Sequence, residues 1–146
     1  FWIVFNGEIF NYKELRKNLE KRGNTFKTKS DTEVLIELFS LYGKKCIELL
    51  NGQFVFAIWD KLKEELFIAR DRVGIRPLFY NLNNGVLSLS SEILAVFTLN
   101  NIQREFCPES LAQIYTYWTT ITPNTPFKGL LKFSSQYFST VNPLRL

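Results

Sequence analysis

The sequence predicts an α+β fold in which antiparallel sheets carry helices on one face and a second sheet on the other. Three observations lead there. Helical patterns fall early and late in the chain, strands that are apolar at odd and even positions lie between them, and 46% apolar with 16% aromatic residues suits a packed core. A chain of 146 residues is most simply one domain.

The first element is the run Phe1-Trp2-Ile3-Val4-Phe5, which passes straight into Asn6-Gly7-Glu8. A run that short, rich in aromatic and β-branched side chains, suits a strand buried on both faces. Asn-Gly between apolar runs is the strongest short hairpin signal, and from these residues alone a hairpin is the better reading. The functional alternative is a pair of neutral donors, the Asn6 amide and the Gly7 N–H, beside the carboxylate of Glu8. Such a set would hold an oxyanion at one end of a ligand and an ammonium at the other.

Asn11 with Glu14 three residues on predicts a reciprocally capped helix with Leu15 and Leu19 on its apolar face, ended by Gly23. Residues 25–28 form a short strand candidate. Ser30-Asp31-Thr32-Glu33 caps a second helix whose Val34, Leu35, Leu38 and Tyr42 share a face, and Gly43 closes it before a shorter helix over about 45–50. Residues 53–59 and 66–69 are doubly apolar strands around the charged reversal 60–65. Residues 77–80 and 86–89 flank the turn Asn83-Asn84-Gly85, making a meander of about four strands. Ser91-Glu92 starts a helix through about Thr98, and Pro108 starts another through Tyr117. The remainder, with Pro123, Pro126, Gly129 and Pro143, has weak β character.

Composition excludes several functions. The net charge of +4 is scattered, and Lys13, Arg16, Lys17, Lys21 and Arg22 alternate with Glu14 and Glu20 on what reads as a solvated helix face. A nucleic-acid partner would rest on that charge alone. The absence of histidine removes Ser–His–Asp, Cys–His and His-containing zinc arrangements. Cys46 and Cys107 lack metal spacing, Cys46 falls in a periodic apolar stretch, and so little cysteine suits a reducing cytoplasm. No stretch is long enough to span a membrane. With no Met and an opening in mid-strand, the chain reads as a piece of a longer protein.

Two further places carry charge worth weighing. Asp31, just inside a capped helix, complements the helix dipole for ~0.3–1 kcal/mol or receives an ammonium group, and the first is the better bet from the residues alone. Arg70-Asp71-Arg72 follows a doubly apolar strand, where unpaired charge is costly. A structural ion-pair corner is the favoured reading there, and a phosphate or carboxylate site the other.

Longer stretches do more than spacing. Phe5-Asn6-Gly7-Glu8-Ile9-Phe10-Asn11-Tyr12-Lys13-Glu14-Leu15-Arg16, Ser30-Asp31-Thr32-Glu33-Val34, Leu50-Asn51-Gly52-Gln53-Phe54-Val55-Phe56-Ala57-Ile58-Trp59-Asp60, Ala69-Arg70-Asp71-Arg72-Val73-Gly74-Ile75-Arg76-Pro77-Leu78 and Ser91-Glu92-Ile93 occur in order. Together they resemble the N-terminal glutaminase domain of glutamine-hydrolysing asparagine synthetases, closely over 1–97 and loosely over 98–146. The resemblance implies a single, incomplete type-2 glutamine amidotransferase domain over 1–146. Its fold would be the four-layer αββα sandwich of N-terminal-nucleophile hydrolases, truncated at its N-terminus.

In that family an N-terminal cysteine attacks the side-chain amide of glutamine, and its own α-amino group handles the proton. Carried over, Asn6 (side chain) and Gly7 (backbone N–H) form the oxyanion hole, and Glu8 and Asp31 bind the substrate, with Asp31 on its α-ammonium. No cofactor is implied here; the ammonia goes to a C-terminal synthetase domain, absent from this chain, where aspartate is activated with ATP and magnesium. The nucleophile and an arginine segment are expected before Phe1, neither Cys46 nor Cys107 matches the motif, and the family's Leu-Pro-Pro-Gly segment stands as Phe133-Ser134-Ser135-Gln136. The chain alone is therefore expected to be inactive and aggregation-prone. The alternative is a non-catalytic remnant or interaction module with the same fold.

Overall fold

The computed structural model describes residues 1–99, 102–135 and 138–142. In chain order the strands are β1 (Trp2–Ile9), β2 (Gly52–Asp60), β3 (Glu65–Arg70), β4 (Phe79–Asn83), β5 (Val86–Ser90), β6 (Leu131–Lys132) and β7 (Phe138–Val141). The helices are α1 (Tyr12–Glu20), α2 (Asp31–Tyr42), α3 (Ile93–Leu99) and α4 (Pro108–Tyr117), with a 3₁₀ helix over Gly43–Leu49 where 45–50 was expected. The strands pair as two antiparallel sheets, ordered β1-β2-β3-β7 and β5-β4-β6.

β2 shows why the layers form. Phe54, Phe56 and Ile58 enter a core with Leu15 and Leu19 of α1 and Val34, Leu35 and Leu38 of α2. On its other face Val55 packs with Ile68, Leu78 and Phe133 between the sheets. Beyond the second sheet, Val96 and Phe97 of α3 pack with Leu130, Phe79 and Phe127. A strand that is apolar at every position suits this double burial. The expected αββα order of layers is the one observed, and no helix among the described residues is long and apolar enough to cross a membrane.

Several expectations are corrected. No hairpin forms at Asn6-Gly7: β1 runs through it, pairing Asn6 with Val55, Gly7 with Phe54 and Glu8 with Gln53. Pairing along the whole strand brings Ile3, Phe5 and Ile9 into the helix-side core, which a turn there would forfeit. Nor is β1 buried on both faces, since Trp2 and Val4 are 73% and 77% exposed. The four central strands are two hairpins in different sheets rather than one meander, because the chain turns out of the first sheet after Arg70. The turn at 83–85 forms as expected, with Asn84 and Gly85 at φ 50° and 75°, values that a type I′ turn requires.

Asn11 precedes α1 but makes no side-chain cap. Its amide instead donates to the Leu49 carbonyl at 2.9 Å and accepts the Asn51 N–H at 3.0 Å. The regular helix ends at Glu20, and Gly23 closes it as expected: at φ 93° it lets the Asn24 N–H reach back to the Leu19 carbonyl at 3.1 Å. Ser30 does cap α2 by accepting the Glu33 N–H at 3.2 Å. The Glu33 carboxylate turns back to the N–H groups of Lys27 and Thr28, both at 2.7 Å, so 25–28 is a carboxylate-bound loop and not a strand. Gln136 and Pro143 lie outside the described residues.

Candidate active site

The four residues singled out for substrate chemistry lie on β1 and at the start of α2. Asn6 faces the second sheet, and its Nδ2 donates to Ser91 Oγ at 2.9 Å. An amide nitrogen carries two hydrogens. Ser91, just before α3, uses one of them to orient the amide and leaves the other available. Asn6 and Ser91 also border a cavity of about 260 Å³ between the sheets, lined by apolar groups such as Val4, Leu78 and Leu89. Gly7, Glu8 and Asp31 do not line that cavity. Glu8 is exposed, opposite Gln53. Asp31, the first residue of α2, accepts the Ile9 N–H on its Oδ2 at 3.1 Å and so ties the helix start to the end of β1.

The direction of the Gly7 peptide follows from the ladder. In an antiparallel pair, opposed residues either exchange both main-chain bonds or turn both groups away from each other. Phe54, opposite Gly7, spends its N–H on Asp71 Oδ2 at 3.2 Å and its carbonyl on the Asp71 N–H at 2.8 Å. Both groups thus point toward β3, and Gly7 sits in a pair without main-chain bonds, its own N–H and carbonyl directed to the free edge of β1. The parity holds two residues on, where the Ile9 N–H goes to Asp31 and the Phe10 N–H to Asn51. The edge of β1 therefore carries the Gly7 N–H two residues before the Ile9 N–H that Asp31 accepts, with the Asn6 amide on the adjoining face. A side chain at position 7 has no space: a Cβ would stand 2.1 Å from the Gln53 carbonyl oxygen, at φ +145°.

The Arg70-Asp71-Arg72 corner is not built on an ion pair. Arg70 donates to the carbonyls of Arg76 and Gly74, both at 2.6 Å, and to that of Phe133. Asp71 Oδ1 accepts the N–H groups of Val73, Gly74 and Ile75 at 3.0, 2.6 and 3.1 Å. Each buried charge is satisfied by main chain, while Arg72 is exposed. Burial pushes the Asp71 carboxyl up, but the N–H donors of Ile75, Arg76, Gly74 and Phe54 outweigh it and hold the group below the ordinary carboxylate range. This corner was singled out for its charge, yet sequence reasoning missed its link to Gly7. Ser91 was likewise read only as a helix start.

Neither thiol stands at this site. Cys46 is buried in the helix-side core, and burial pushes it up to about 12. Cys107 precedes α4 and donates to Glu109 at 3.1 Å.

Residues 1–143 match the family described as glutamine amidotransferase domain. The chain is 38% identical over 131 residues to asparagine synthetase [glutamine-hydrolyzing] 3 of Bacillus subtilis, a match covering 89% of this chain and 21% of that protein. It is 40% identical over 124 residues to a putative asparagine synthetase [glutamine-hydrolyzing] 1 of Methanocaldococcus jannaschii, covering 85% and 22%. The chain thus spans about a fifth of the length of these curated relatives. Among solved structures, glutamine phosphoribosylpyrophosphate amidotransferase from B. subtilis, complexed with ADP and GMP, superposes with a TM-score of 0.62 at 22% identity, covering 97% of this chain and 28% of that one. This last likeness is one of fold, and it agrees with two antiparallel sheets between helical layers.

Proposed function

The chain belongs to the glutamine amidotransferase domain family, and we propose that it supplies the substrate-holding side of a glutaminase whose ammonia serves an asparagine-forming synthetase. The observation that supports this is the open edge of β1, where the Gly7 peptide turns away from β2, the preceding Asn6 carboxamide is oriented by Ser91, and the Ile9 N–H two residues on holds the Asp31 carboxylate. When a thiolate adds to the side-chain carbonyl of glutamine, negative charge grows on the carbonyl oxygen. The second hydrogen of Asn6 Nδ2 and the Gly7 N–H would stabilise that charge, in a place where neutral fixed donors need no reorganisation. Asp31 and Glu8 would take the amino-acid end of glutamine, Asp31 receiving the α-ammonium.

The attacking thiolate is not Cys46, which stays protonated in the core, and Cys107 is committed to the start of α4. A cysteine outside these 146 residues would supply it. On this reading the isolated 146-residue chain releases no more glutamate from glutamine than its Asn6→Ala variant does. In the whole natural protein, Asn6→Ala lowers kcat for glutamine hydrolysis by ~10²–10³ and spares activity with added ammonia. Equal kcat in the variant, or loss of the ammonia-driven reaction in parallel, would remove Asn6 from the oxyanion hole. A non-catalytic module of the same fold is the competing reading, favoured by the two misplaced thiols. A wild-type natural protein that releases no glutamate from glutamine decides for it.

A further inference from the structure

We propose that Asp71 is a positioning residue for the Gly7 N–H, acting through Phe54; the inference rests on Gly7 belonging to the oxyanion hole. β2 and β3 pair in register as far as Val55 with Arg70, so Asp71 stands where the next partner of Phe54 belongs. The chain turns away there, and the Asp71 carbonyl accepts the Gly74 N–H instead of the Phe54 N–H. The Asp71 carboxylate replaces that lost acceptor with its Oδ2 and fastens the turn with its Oδ1. The side chain thereby holds the Phe54 N–H toward β3, completing a pair whose other bond, from the Asp71 N–H to the Phe54 carbonyl, is main chain.

That direction determines the state of Gly7. With Phe54 held toward β3, its opposite residue on β1 receives no main-chain partner from β2 and presents its N–H at the strand edge. The contact is close enough to transmit a shift, since a Cβ built on Gly7 would lie 2.7 Å from the Phe54 Cα. Asp71 is only 3% exposed and has five main-chain donors or partners around it, so it is not placed to touch substrate. Its effect is on the geometry of the donor.

The test compares Asp71→Ala, Asp71→Asn and, as a structural control, Asp60→Ala. Asp60 is the buried carboxylate at the opposite end of the same hairpin, accepting the N–H groups of Leu62 and Lys63. In the whole natural protein, Asp71→Ala is expected to lower kcat for glutamine hydrolysis by ~10²-fold with KM unchanged, as loss of one oxyanion donor does. Asp71→Asn, which keeps one oxygen acceptor, recovers part of it. Asp60→Ala lowers Tm and leaves kcat alone. Unchanged kcat in Asp71→Ala, or an equal loss in Asp60→Ala, overturns the inference. Amide exchange in the whole natural protein separates this from the glutaminase assignment: the Gly7 N–H should exchange fast and the Phe54 N–H slowly, with Phe54 released in Asp71→Ala. A slowly exchanging Gly7 overturns the inference even if the natural protein hydrolyses glutamine. A natural protein without glutaminase activity overturns the functional reading while these exchange rates still decide the positioning.

Discussion

At Gly7 the backbone leaves no choice of residue. Its φ of +145° lies where L side chains rarely go, and the nearest obstacle to a Cβ is main chain that cannot swing aside. Gly7→Ala should therefore cost about 1–3 kcal/mol for the backbone conformation alone, with more for displacing β2. A Tm equal to that of the wild type would show that β1 tolerates a shift away from β2. The thiols give a second test at this scale. Cys46 is in the core with its pKa raised to about 12, whereas Cys107 is partly exposed. A thiol reagent at mildly alkaline pH should modify Cys107 alone in the folded chain and both residues after denaturation. Two fast-reacting thiols in the folded chain would contradict the burial of Cys46. Raised pKa in the fold also means that the unfolded chain gives up the Cys46 proton first, so stability falls as pH rises from the ordinary thiol range toward 12.

Between residues and the whole lies the β2–β3 hairpin with its corner. Asp71 has its pKa lowered by main-chain donors, so its contribution is fully present above the ordinary aspartate pKa of ~3.9 and is lost as pH falls through the lower folded value. Acid unfolding should therefore be less steep in Asp71→Asn than in the wild type below about pH 4, while the variant is the less stable of the two at neutral pH. Parallel acid transitions would mean that other carboxylates carry the pH dependence. The hairpin itself was legible: doubly apolar strands at 53–59 and 66–69 around a charged reversal fit burial between two layers, whereas the same pattern at 1–5 lies at a sheet edge and is exposed on one face. Likewise Ser30 has one available helix to cap, and it does so. Other elements were illegible for a shared reason. Asn11 abandons its expected cap for Leu49 and Asn51, Glu33 reaches back to Lys27 and Thr28, and Asn6 meets Ser91 from another sheet. Local spacing shows that a polar side chain needs a partner, but not which of several distant partners the packing will bring near. The identities Asn6, Gly7 and Asp31 came from resemblance; that the Gly7 peptide turns to the strand edge, while Asn6 faces the second sheet and Asp31 holds the Ile9 N–H, is visible only once β1 is paired with β2.

The two sheets do not cover each other evenly, and this governs how the whole chain behaves. β1 is an edge strand of the first sheet, and on its face toward the second sheet Trp2 and Val4 are largely exposed while Val55 and Leu78 deeper in are buried. Its odd residues turn their peptide groups to the open edge, as the pairing at Gly7 and Ile9 shows. An edge with free N–H and carbonyl groups beside exposed aromatic and β-branched side chains is a template for pairing with another strand. The charge of +4 is too small and scattered to oppose such contact, and salt would screen what repulsion there is. The 146-residue chain should therefore self-associate through β1. Val4→Lys puts a charge on the exposed face without touching the helix-side core, so it should shift the chain toward monomer in sedimentation at matched concentrations and leave its far-UV spectrum unchanged. The same substitution at Val86, exposed on β5 in the other sheet, should have little effect on association. A wild-type chain that sediments as a monomer and melts at one temperature across a hundredfold range of concentration would show that the open edge is not adhesive.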